Sequence, residues 1–80
     1  MPSVNDLECR YTGNSVTVKL TNSSSKPETL EFECVYDLSN GTTHTTSGTT
    51  TLFAGQVYET NSEATAADVT GVASKSVIEA

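Results

Sequence analysis

Two cysteines, one histidine and a short run of carboxylates are the residues of this 80-residue chain whose types could do chemistry. Oxidised to a disulfide, Cys9 and Cys34 would close a loop of about 25 residues. Restricting the unfolded chain in that way stabilises a fold by about 3 kcal/mol. Reduced and buried, the same pair would behave as two small apolar side chains. The surrounding composition favours the disulfide. Redox and zinc chemistry are disfavoured, because there is no C-x-x-C pair and one distant histidine supplies no ligand spacing.

That histidine, His44, sits in the middle of "TTHTT". A general base or metal ligand needs partner groups, and the sequence identifies none for it. An exposed strand position accounts for it. Glu31, Glu33 and Asp37 recur at even spacing, and neighbouring pairs on a strand would project from one face about 7 Å apart. Calcium binding or glycosidase chemistry would need such groups to converge from several elements. A solvated outer face, balanced by Lys19 or Lys26 on adjacent strands, explains them more simply. The alternative is a small calcium- or carbohydrate-binding β domain using Asp37, Asn40, His44 and nearby hydroxyls.

Two N-x-S/T sequons, at Asn22 and Asn40, fall in polar loops and are candidate glycan acceptors in a secretory setting. Neither a G-x-S-x-G nucleophile elbow nor an S-x-x-K pair nor a phosphate-cradling glycine loop occurs. The sequence therefore points to no catalytic residue, no cofactor and no metal ligand.

The elements that must position these residues read as short strands. "DLECRYTGNSVTVKLTN" alternates on both sides of a Gly-Asn turn. Leu7, Cys9 and Tyr11 share one face, and Val16, Val18 and Leu20 share another, which is a hairpin signature. "NSSSKPE" is a polar loop whose Pro27 delays pairing. "TLEFECVYDL" is the strongest strand, with Leu30, Phe32, Cys34, Tyr36 and Leu38 on one face and Glu31, Glu33, Val35 and Asp37 on the other. "SNGT" follows as a turn.

The threonine tract "TTHTTSGTTTLF" suits a pleated surface, because a branched Cβ resists helix and favours strand. It reads as two short strands meeting at a bulge, bend or turn at Ser47-Gly48. Such a bulge would twist the edge away; left open, the edge could accept a partner strand. "AGQ" makes the next turn and "VYET" resumes alternation. In residues 65–80, Gly71 and the branched Val and Ile favour strand over the helix that Val69, Val72, Ala73, Ser76 and Val77 would otherwise line.

Composition narrows the class. Only 35% of residues are hydrophobic and there is no tryptophan, so the core must be thin. Such a small domain leans on a crosslink, a partner or neighbouring domains. Serine and threonine supply 24 residues, which is the habit of secreted or surface β domains. The formal charge of −6, with only Arg10, Lys19, Lys26 and Lys75 as cations, disfavours nucleic acid and anionic membranes. No run is long enough to insert in a membrane as a helix. "MPSVNDLE" lacks the basic and apolar regions of a signal peptide. A secreted origin thus implies a mature or excised domain, and a cytoplasmic home is the alternative if Met1 is the native start.

Together these features predict one all-β domain over residues 1–80, with residues 1–5 a loose lead-in. Six to seven short strands would form an antiparallel immunoglobulin-like β-sandwich, with a small open barrel as the alternative. The order of "VTVKLTNSSSKP", "FECVYDLSNG" and "TLFAGQVYET" resembles small immunoglobulin-like domains of bacterial and archaeal surface proteins, of the FxLYD and related CARDB types. The matching positions are Asn22, Val35-Tyr36-Asp37, Gly41, Leu52, Ala54, Gly55 and Gln56. The resemblance implies a non-enzymatic spacer or protein-interaction module, whose partners are another protein or neighbouring domains of a longer chain.

Overall fold

A computed structural model describes residues 6–80; the lead-in expected over residues 1–5 lies outside the described residues. Seven strands follow one another: β1 (Asp6–Thr12), β2 (Ser15–Thr21), β3 (Glu28–Leu38), β4 (Thr43–Leu52), β5 (Val57–Glu59), β6 (Glu63–Ala64) and β7 (Val69–Glu79). They form two antiparallel sheets. One has the order β1-β2-β5 with β6 also on β2, and the other has the order β4-β3-β7. Among the described residues no ladder joins the sheets, so the molecule is the expected antiparallel β-sandwich of seven strands and not a closed barrel.

The alternation seen in the sequence sets which face each strand buries. In β1–β2 the register pairs Leu7 with Leu20, Cys9 with Val18 and Tyr11 with Val16. A shift of one residue would turn this apolar row to solvent, so burial fixes the register. The hairpin turn uses Gly13 at the first of two central positions with φ of 57° and Asn14 at negative φ, as type II′ turns require. The next hairpin closes through Leu38 N–H donating to Thr42 O at 2.9 Å, with Gly41 at φ 84° taking the left-handed position.

Facing rows interlock between the sheets. Val16, Val18 and Leu20 are almost inaccessible, as are Leu30, Cys34, Tyr36 and Leu52 from the other side. Phe32 is 5% exposed and packs its ring 6.0 Å from that of Tyr58 across the interior. The core stays thin, as the composition required. Among the described residues its buried members are Leu7, Val16, Val18, Leu20, Leu30, Phe32, Cys34, Tyr36, Leu38, Leu52 and Val69.

One strand differs from expectation. The threonine tract is a single ten-residue strand, paired with β3 in unbroken register from Asp37–Thr43 to Glu28–Leu52, not two strands meeting at a bulge. Gly48 has a packing reason instead. It lies opposite Phe32, and a Cβ built there would stand 3.1 Å from the tip of the Phe32 ring. Glycine is present to admit the ring, so the backbone need not bend. Residues 69–79 are strand, as Gly71 and the branched residues indicated, and the bulges lie there, opposite Val35/Tyr36 and Asp37/Leu38.

Candidate functional site

Cys9 and Cys34 form the disulfide, with Cα atoms 5.8 Å apart. Cys9 belongs to β1 and Cys34 to β3, so the bond crosses from one sheet to the other. Lys75, paired with Cys34 on the far side, reaches across the same seam and donates from Nζ to Leu7 O at 3.2 Å. A shallow, open groove of about 550 Å³ runs along this seam, lined by Leu7, Glu8, Lys19, Lys75 and Val77 among others. It is wide and polar, unlike the enclosed apolar pockets that hold small ligands.

The opposite seam carries a polar cluster that the sequence did not advertise. His44 points inward from β4 and its Nε2 donates to Glu63 Oε1 at 2.6 Å, while Thr46 Oγ1 donates to the same oxygen at 3.0 Å. These bonds link the second sheet to β6 of the first. Hydrogen bonds from His44 and then Thr46 hold the Glu63 carboxyl below the usual glutamate range. Nearby, burial and then the Glu63 charge push the Tyr36 phenol above its ordinary value. Tyr36 Oη donates to Thr17 O at 3.4 Å, again across the sheets. His44 is therefore a half-buried inter-sheet tie and not the exposed strand residue expected. It missed detection because Glu63 lies 19 residues away, in a two-residue strand without apolar patterning.

The other expected groups separate. Asp37 lies on the outer face of β3 and His44 on the inner face of β4, so the calcium- or carbohydrate-binding trio of Asp37, Asn40 and His44 does not converge. Asn40 Oδ1 instead accepts from Thr42 N and Oγ1, bracing the turn. Among the described residues no group of three or more His, Cys, Asp or Glu side chains could hold a metal ion. Glu31 and Glu33 are solvated on the outer face, as expected, but not balanced as expected. Their neighbours are Thr49 and Ser47 on β4 and Ile78 and Ser76 on β7, while Lys19 lies in the other sheet near Glu8.

Asn22, expected in a polar loop as a candidate glycan acceptor, is fully buried. Its Nδ2 donates to Lys26 O and Leu52 O, both at 3.0 Å, and its Oδ1 accepts from Ser24 N and Oγ. Its backbone also bonds Gly55 and Gln56. The amide ties its own loop to the end of β4, and a glycan on that nitrogen would displace both of its bonds. Asn40 is exposed and retains an accessible amide.

No known protein family, curated protein or solved structure matches this chain.

The remaining feature is the edge of β4. Leu38 N–H bonds Thr42 O, so Tyr36 and His44 face each other as a hydrogen-bonded pair, and hydrogen-bonded pairs recur at every second position. His44, Thr46, Gly48 and Thr50 thus spend their backbone groups on β3. The N–H and C=O of Thr43, Thr45, Ser47, Thr49 and Thr51 point out to the open side, where no strand among the described residues pairs with them.

Proposed function

We propose that this domain is a non-enzymatic extracellular or cell-surface module of the immunoglobulin-like FxLYD or CARDB kind, working as a spacer or protein-interaction domain. The observation that carries this reading is the Cys9–Cys34 bond. It crosslinks two sheets whose shared core is thin, and such bonds persist in oxidising compartments but are reduced in the cytosol. Small domains with sparse cores are the ones that lean on crosslinks of this kind. The serine- and threonine-rich surface and the exposed sequon at Asn40 suit the same setting. The open β4 edge supports an interaction role, because an unpaired edge offers main-chain hydrogen bonds to another strand.

Surface labelling of intact cells of the native host with a membrane-impermeant amine reagent tests the reading. The labelled or secreted fraction is expected to hold the protein. Recovery only from the cytosol, with both cysteines alkylatable, would contradict it.

A further inference from the structure

Of the four sheet edges formed by the described residues, three carry recognised protections against strand addition. Along β1 the charged Asp6, Glu8 and Arg10 line the strand, and Lys75 already occupies the Leu7 carbonyl. The edge formed by β5 and β6 is broken into strands of three and two residues. Strand β7 has two register shifts and turns Lys75 inward. Among the described strands β4 alone lacks such a device: it has ten residues, no bulge, no proline, and no charged side chain apart from His44 when protonated.

We infer that β4 pairs with β4 of a second copy of this chain, antiparallel about Ser47, to form a continuous six-stranded sheet. This deepens the interaction-module reading. The self-complementarity lies in the outward-pointing groups. Centred on Ser47, the pairing sets Ser47 against Ser47, Thr45 against Thr49 and Thr43 against Thr51. Every outward backbone group of those five residues then gains a partner in hydrogen-bonded pairs. Each facing pair also matches a hydroxyl with a hydroxyl, a favourable cross-strand combination.

Charge permits this edge and opposes others. Each chain carries a formal −6, yet the β4 edge itself contributes no carboxylate. The Glu31 and Glu33 columns of the two copies would lie three strand spacings apart, about 14 Å. That exceeds the screening length of about 8 Å at physiological salt. Strand pairing buries little apolar area, so the dimer is weak and strengthens as salt rises.

Sedimentation equilibrium on the oxidised domain, up to about 1 mM, should show mass rising toward twice the 8.4 kDa chain, more steeply at higher salt. Ser47→Pro removes an outward N–H that β3 does not use. It should stay folded by circular dichroism and be monomeric. Under mild oxidation Ser47→Cys should crosslink between copies, since facing Cα atoms in such a pair lie about 5.5 Å apart. Thr49→Cys should not, because its two copies would be separated by about 14 Å. A monomer at every concentration, or equal crosslinking of the two cysteine variants, overturns the proposal. An oxidised, secreted monomer would do so while leaving the compartment reading intact.

Discussion

At the scale of single residues, the side chains that matter most tie parts of the fold together. Asn22 is the clearest case, because its amide satisfies the buried carbonyl of Leu52 as well as the Lys26 loop. Asn22→Ala would remove a side-chain donor from that carbonyl and from Lys26 O, and several bonds would fail together. A loss of about 2–4 kcal/mol is expected from chemical denaturation. A cost below about 0.5 kcal/mol, typical of a surface loop, would show that the network is not needed. Glu63 gives a pH-dependent counterpart. Its folded-state carboxyl is held below the usual range by His44 and Thr46, so its contribution is present above the ordinary glutamate range. That contribution is lost as pH falls through the lowered value and Glu63 protonates. The side chain is half exposed, so solvent screening keeps the effect within about 1 kcal/mol. Thermal midpoints of the parent and Glu63→Gln should differ near neutrality and converge in acid. A gap that widens in acid would reverse the assignment.

At the scale of elements, β4 shows what periodicity can and cannot reveal. Leu30, Phe32, Cys34, Tyr36 and Leu38 made the strand and buried face of β3 legible, because apolar residues at every second position leave no other choice. In β4 the inward positions are His44, Thr46, Gly48, Thr50 and Leu52, so the pattern is nearly silent about which face is buried. Serine-glycine then suggested a break, whereas the glycine is a seat for the Phe32 ring. That contact joins Phe32 and Gly48 across 16 sequence positions, beyond the reach of local pattern reading. Gly48→Val would drive two methyl groups into the ring and should cost about 1–3 kcal/mol by overpacking, measured as a lowered denaturation midpoint. Pairing it with Phe32→Leu should recover part of the loss, since the shorter side chain vacates the site. Failure of that rescue would place the strain elsewhere.

At the scale of the whole molecule, two thin sheets are held by few contacts of high value. The interior contains no tryptophan, and the bonds crossing between sheets among the described residues include the disulfide, Tyr36 to Thr17, His44 and Thr46 to Glu63, and Lys75 to Leu7. The cysteine pairing was legible because Cys9 and Cys34 each fell on the apolar face of a clear strand. The polar ties were not, since each joins residues far apart in sequence through side chains that also suit solvent. The disulfide is worth about 3 kcal/mol by loop closure, a large share of the 5–15 kcal/mol typical of a domain. Replacing both cysteines with alanine should remove about that amount, read from urea unfolding, without altering the strand content of the folded form.

The compartment and the architecture meet at that one bond. Titrating thiols in denaturant, on protein taken from its native host with no reductant and free thiols blocked at lysis, tests it most directly. An oxidised extracellular sandwich predicts no reactive thiol until a reductant is added, and two afterwards. Two reactive thiols before reduction would contradict both the crosslinked sandwich and the proposal that this domain works outside the cell.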